Sequence, residues 1–205
     1  IHLSTAGSGS QSAILDQGIG FTLTNTGTIL MDGGVFGDSM ELIGDLDNSG
    51  LFQVNTPAFA GVGPLIDADA TITNSGTFDI SATSDFFIGS PGTLGITTFS
   101  NTGTFSAGGT LTLERTAFTN TGILDIQTGG GLRSVADSSL TLDADATLVA
   151  GTTLSLGDDV NTAVIGGTGS LTIQGFVQLD NGTLTGNTVM DSSLMTISGT
   201  GNLNS

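Results

Sequence analysis

Residues 72–80 read Ile-Thr-Asn-Ser-Gly-Thr-Phe-Asp-Ile, and the stretch recurs. Residues 23–31 read Leu-Thr-Asn-Thr-Gly-Thr-Ile-Leu-Met, and residues 46–54 read Leu-Asp-Asn-Ser-Gly-Leu-Phe-Gln-Val. Residues 99–107 read Phe-Ser-Asn-Thr-Gly-Thr-Phe-Ser-Ala, and residues 118–126 read Phe-Thr-Asn-Thr-Gly-Ile-Leu-Asp-Ile. Apolar and polar residues alternate on either side of Asn-[Ser/Thr]-Gly, which is the period of a strand and not of a helix. Asn and Gly both tolerate positive φ, which suits a tight corner. Each copy therefore reads as strand, corner, strand.

The asparagines fall at 25, 48, 74, 101 and 120. A motif recurring every 20–50 residues or so marks a stacked repeat architecture. One rung cannot bury its own apolar side, but stacked rungs can. After the corner the expected inward column is Ile29, Phe52, Phe78, Phe105 and Leu124; before it, Leu23, Leu46, Ile72, Phe99 and Phe118. At the corner, Asn25, Asn48, Asn74, Asn101 and Asn120 should stack as an amide ladder. The fold class is all-β, a parallel β-solenoid. Parallel crossovers are right-handed, so a right-handed β-helix is expected. At about 24 residues per rung and about 4.8 Å per strand, it would have about 8–9 rungs and be roughly 40 Å long.

The composition agrees. There are 33 Gly and 3 Pro, charged residues make up 10%, and Lys is absent. Asp, Asn, Ser, Thr and Gly are corner residues, whereas the helix formers Lys and Glu are scarce. A net charge of −17 leaves nothing to neutralise phosphates, so nucleic acid is excluded as a partner. The same charge disfavours anionic membranes, and no apolar run is long enough to insert as a helix. Cysteine is absent, which excludes disulfides and thiolate metal sites.

Residues 1–20 read as an irregular N-terminal lead-in, either a first strand or a partly ordered terminus. Residues 21–205 read as a single solenoid, with regular Asn-[Ser/Thr]-Gly rungs over 21–126 and degenerate rungs over 127–205. Two longer excursions, residues 55–68 and 81–96, read either as loops of the kind that carry function on a regular scaffold or, more plainly, as a side strand of the rung plus an insertion. From 127 onward short β-type runs follow one another, and Asp180-Asn181-Gly182 reads as a degenerate corner.

The Asn-[Ser/Thr]-Gly-Thr-[Phe/Ile] copies resemble the rungs of autotransporter passengers and filamentous-haemagglutinin-type adhesins. Residues 169–173, Gly-Ser-Leu-Thr-Ile, and 180–186, Asp-Asn-Gly-Thr-Leu-Thr-Gly, are similar to the degenerate repeats of the same proteins. The resemblance implies a secreted rod at the bacterial cell surface, used for adhesion, matrix or spacing. It implies no catalytic residue. The partners expected on this reading are a neighbouring repeat or a second copy stacked end to end, and host or matrix glycans.

Three Asp-x-Asp pairs stand out: Asp45/Asp47, Asp67/Asp69 and Asp143/Asp145. The last two share the pentapeptide Asp-Ala-Asp-Ala-Thr. On a strand, residues two apart face one side, and paired carboxylates there would suit a hard cation such as structural calcium. The alternative is corner carboxylates in water. The Gly-Gly-x-Gly-x-Asp calcium repeat is missing. Carboxylate pairs could also serve a glycosidase or lyase. However, His2 is the only imidazole, Arg115 and Arg133 are the only Arg, and Tyr and Trp are absent. The chain is therefore read as non-enzymatic, with no cofactor beyond calcium. Thr-x-Thr before the corner, at Thr22/Thr24 and Thr71/Thr73, could build a flat face for glycan or ice; a β-branched outer face is the plainer account.

Overall fold

The computed structural model describes residues 1–5, 12–18, 20–33, 39–55, 65–66, 69–81, 85–89, 95–158, 161–191, 194–198 and 202–204. Among them every regular element is a strand, and the strands form three parallel sheets of nine. Sheet I comprises His2–Thr5, Thr28–Gly33, Leu51–Val54, Thr77–Ile80, Thr104–Ala107, Ile123–Ile126, Ala146–Leu148, Ser170–Ile173 and Asn187–Met190. Sheet II comprises Ser12–Asp16, Ser39–Ile43, Leu65–Ile66, Phe86–Ile88, Thr110–Glu114, Gly131–Val135, Thr153–Leu156, Phe176–Asp180 and Leu194–Ser198. Sheet III comprises Thr22–Asn25, Asp45–Asn48, Thr71–Asn74, Thr97–Asn101, Thr116–Asn120, Ser138–Leu142, Ala163–Gly166, Gly182–Thr185 and Asn202–Asn204. The chain visits I, II and III in turn and then rises one rung, so every strand pairs with its equivalents in neighbouring rungs. This is a parallel β-solenoid. No helix among the described residues is long and apolar enough to cross a membrane.

The strands before and after Asn-[Ser/Thr]-Gly lie where the repeat puts them, the first closing one rung in sheet III and the second opening the next in sheet I. The residues expected to stack do stack: Ile29, Phe52, Phe78, Phe105 and Leu124 are in register across sheet I, and all are buried. Phe78 lies between Phe52, at 4.4 Å between ring centres and 15° between planes, and Phe105, at 5.1 Å and 8°. Leu23, Leu46, Ile72, Phe99 and Phe118 line up likewise in sheet III. Phe99 meets Phe118 edge-on at 4.8 Å and 79°. Each such ring pair adds about 0.5–1.5 kcal/mol to its burial. Sheet II supplies a third inward column, Leu42, Ile66, Ile88, Leu113, Ser134, Leu156 and Leu179.

The lead-in is not irregular throughout. His2–Thr5 and Ser12–Asp16 are strands, paired with Thr28–Gly33 and Ser39–Ile43. The two excursions contribute the sheet II strands Leu65–Ile66 and Phe86–Ile88; residues 56–64, 82–84 and 90–94 lie outside the described residues. Rung length varies in the links from sheet I to sheet II and from sheet II to sheet III. Gly108-Gly109 alone joins Thr104–Ala107 to Thr110–Glu114, and Arg115 alone joins that strand to Thr116–Asn120, which is why Asn101 and Asn120 lie so close in sequence.

Candidate functional site

The Asn corner uses its polar groups completely. Each amide Nδ2 donates to the next Asn Oδ1: Asn25 to Asn48 at 2.6 Å, Asn48 to Asn74 at 2.7 Å, Asn74 to Asn101 at 2.6 Å and Asn101 to Asn120 at 2.6 Å. The second Nδ2 proton goes to a carbonyl of the next rung, Thr77 O from Asn48 and Thr104 O from Asn74, both at 3.0 Å. The main-chain carbonyls of Asn25, Asn48, Asn74 and Asn101 each accept two amides from the rung above, Asn48 O taking Ser75 N and Gly76 N at 2.8 and 3.1 Å, whereas Asn120 O takes Asp143 N at 2.8 Å. The buried amides therefore leave no desolvation cost unpaid. The ladder stops at Asn120, whose register partner above is Leu142.

The glycine of the motif is there for a different reason than expected. Gly27, Gly50, Gly76, Gly103 and Gly122 are not among the positive-φ residues. A Cβ on Gly50 would run into the Gly27 carbonyl, one on Gly76 into the Gly50 carbonyl, and so on up the column. Close stacking of corners selects glycine here. Left-handed backbone is found instead where a single residue turns the chain from sheet II to sheet III: Gly44 (φ 103°), Arg115 (φ 48°) and Asn181 (φ 60°). Asn181 is thus the counterpart of Gly44 and Arg115, and Asp180-Asn181-Gly182 is no degenerate copy of the Asn ladder.

The Asp-x-Asp pairs are not equivalent to one another. Only Asp45 and Asp47 lie on a strand, on the outer face of sheet III. Asp67 lies outside the described residues, and Asp69 sits at a left-handed bend (φ 65°) before sheet III. Asp143 and Asp145 follow sheet III, in the corner that takes over from Asn-[Ser/Thr]-Gly. Asp69 and its counterpart Asp145 therefore lie in two different corners. Four of these carboxylates clamp the next rung. Asp45 Oδ1 accepts Thr71 N at 2.7 Å, and Asp47 Oδ1 accepts Thr73 Oγ1 at 2.8 Å. Asp143 Oδ1 accepts Thr168 N and Oγ1 at 3.1 and 3.0 Å, and Asp145 Oδ1 accepts Ser170 N at 2.8 Å. Asp85 and Asp137, which the sequence did not single out, do the same for Thr110 N and for Thr162 N and Oγ1. The common rule is an aspartate 25 or 26 residues before the group it accepts from. Among the described residues no three His, Cys, Asp or Glu side chains gather as a metal site would require.

The outer face of sheet III carries Thr22/Thr24, Asp45/Asp47, Thr71/Thr73, Thr98/Ser100, Ala117/Thr119, Ser139/Thr141 and Val164/Gly166 in register. The hydroxyl array is interrupted at Asp45/Asp47 and Val164/Gly166, and Asp47 engages the Thr73 hydroxyl. His2 lies 3.7 Å from Asp32, both exposed.

Sheet II holds a second polar locality. Burial lifts the Glu114 carboxyl above the usual range; Arg133 opposes the shift, Asp158 adds to it, and Arg115 opposes it. Arg133 is exposed and stands in register between Thr112 and Ser155. Beside it Gly129-Gly130-Gly131 leaves a notch of about 260 Å³ between Thr110 and Thr153. In the sequence Gly129-Gly130-Gly131 is a bare glycine run; the parallel register makes Thr110 and Thr153 its walls. Further in, Ser134 Oγ is fully buried and has no hydrogen-bond partner.

No family model matches the chain, and no match was found among curated proteins or solved structures.

Proposed function

We propose that this protein is a non-enzymatic extracellular rod, structural and adhesive, serving as a module of a larger bacterial surface protein or as a subunit that stacks end to end. The observation that carries this reading is how the polar side chains are used. Asn25, Asn48, Asn74, Asn101 and Asn120, with Asp45, Asp47, Asp143 and Asp145, bond to neighbouring rungs. These groups hold one rung on the next, and groups so engaged serve shape before chemistry. An acidic, Lys-free flank keeps rods apart side by side, while strand edges at the ends of a solenoid offer backbone donors and acceptors to more of the same. A head-to-tail contact of this kind propagates as a filament.

Electron microscopy of the purified chain over a range of concentrations tests the reading. Filaments should form with unmodified protein and fail with Gly27→Ala, because nothing in this chain lies within 4 Å of a Cβ there while a stacked corner would. Isolated rods at every concentration would leave the module form of the proposal. Depolymerisation of a polysaccharide by the protein, lost on substituting Asp45 and Asp47, would overturn it.

A further inference from the structure

We infer that the notch over Gly131 binds a carboxylated sugar, with Arg133 holding the carboxylate. This deepens the adhesive part of the proposed function and rests on it; the structural part stands without it.

Three strands build the site. Thr110, Gly131 and Thr153 are in register on the outer face of sheet II, and Thr112, Arg133 and Ser155 form the next column on that face, in which Thr112 is buried, Ser155 half-buried and Arg133 exposed. Leu132, between them in sequence, is buried in the core. Where neighbouring rungs present a threonine, Gly131 presents no side chain, so a gap opens between the Thr110 and Thr153 side chains. Gly129, at φ 88°, and Gly130 continue the gap around the corner. At about 260 Å³ it is just below the usual range of small-ligand sites, about 300–1,000 Å³, and takes one ring, not a chain.

The lining matches that ligand class. Hydroxyls of Thr110, Thr153 and Ser155 surround the gap, and each can donate or accept, as sugar hydroxyls require. Arg133 supplies a planar fork suited to a carboxylate. Among the described residues its guanidinium has no hydrogen bond and no ion-pair partner within 4.0 Å. Asp85, one rung below, is engaged with Thr110 N at 3.1 Å. Arg133 shares its locality with the Glu114 carboxyl, which competes for the guanidinium; with that neighbour and a net charge of −17 the subsite is weak and salt-sensitive. Repetition along an assembled rod would raise the avidity.

The test is an NMR titration of isotope-labelled protein with galacturonate, galactose and acetate, each to about 10 mM, above the roughly millimolar Kd of one weak subsite. Galacturonate should shift the amides of Gly129–Gly131 and Thr153, with galactose and acetate each producing much less. Arg133→Gln should abolish the preference for galacturonate over galactose. Gly131→Ala should weaken binding several-fold. Its Cβ would meet Thr153 O at 3.4 Å and the Thr110 methyl at 3.5 Å, ordinary contacts that fill the notch without breaking the sheet. No shift with galacturonate, equal shifts with galactose or acetate, or a response kept in Arg133→Gln would overturn the assignment. If Arg133→Gln disturbs folding, Gly131→Ala decides. Filaments or rods seen by microscopy are unaffected by any of these results, so loss of the site and loss of the rod are separable.

Discussion

Gly76 is stacked on Gly50 so closely that a Cβ on the upper residue would collide with the lower one's carbonyl oxygen. Thr77 N donates to that same oxygen at 2.8 Å, so the carbonyl cannot move aside. Gly76→Ala should therefore cost about 1–3 kcal/mol or more through overpacking. Gly27→Ala in the dilute chain should be neutral or slightly stabilising, by about 0.4–1 kcal/mol. Urea unfolding of the two variants checks this; equal midpoints would mean the corners are not stacked in this way.

Asn74 sits mid-ladder, fully flanked. Asn74→Ala strips the acceptor from Asn48 Nδ2 and the donor from Asn101 Oδ1, both buried. Leaving buried amide groups unpaired costs about 1–3 kcal/mol. Asn25→Ala, at the end of the ladder, breaks one ladder bond, to Asn48 Oδ1, together with those to Leu51 O and from the exposed Gly27 N, and should cost less. The order of the two denaturation midpoints is the readout.

Asp143 separates clamping from calcium binding. Its carboxylate accepts from Thr168 N and Oγ1. Asn keeps an acceptor oxygen in place, so Asp143→Asn should be nearly silent, whereas Asp143→Ala should cost about 0.5–1.5 kcal/mol. A calcium site needs the charge. There, Asn would be as damaging as Ala and the loss would appear only with calcium present, which unfolding with and without chelator would reveal.

Glu114 should make stability depend on pH. Burial raises its carboxyl, with Arg133 pulling the other way. The folded state thus favours the protonated acid. That contribution is fully present below the ordinary Glu pKa and is lost as pH rises through the raised folded value. Glu114→Gln should therefore raise the unfolding midpoint at neutral pH, and the gain should fade in acid. A gain that grows on acidification would contradict this.

Much of the fold was legible because one face of the problem repeats literally. Asn-[Ser/Thr]-Gly marks the corner between sheets III and I, and Phe52, Phe78 and Phe105 recur at a fixed offset from it. The corner between sheets II and III was not legible, because a single left-handed residue suffices and Gly44, Arg115 and Asn181 share no chemistry. The strand Thr110–Glu114 escaped notice for the same reason: it ends on Arg115, which does not look like a corner. The role of the aspartates was hidden by distance. Asp45 meets Thr71 across 26 residues of sequence, and no local pattern links them. The pentapeptide shared by 67–71 and 143–147 does not mark one structural position, since Asp69 precedes sheet III and Asp145 follows it. The notch at Gly131 needed register as well, as its walls lie on three separate rungs.

Rung-on-rung register is the claim on which the ladders, clamps and notch all depend, and disulfide trapping across sheet III measures it directly. The chain has no cysteine, so pairs can be introduced on a clean background. Thr73 and Ser100 are register partners on an outer face, and adjacent strands lie about 4.8 Å apart, within disulfide reach. Oxidation of the Thr73→Cys, Ser100→Cys double variant should give an intramolecular disulfide in nearly every molecule. The offset pair Thr71→Cys, Ser100→Cys should link far more slowly. Equal or reversed rates would contradict the stacked register and the solenoid built on it.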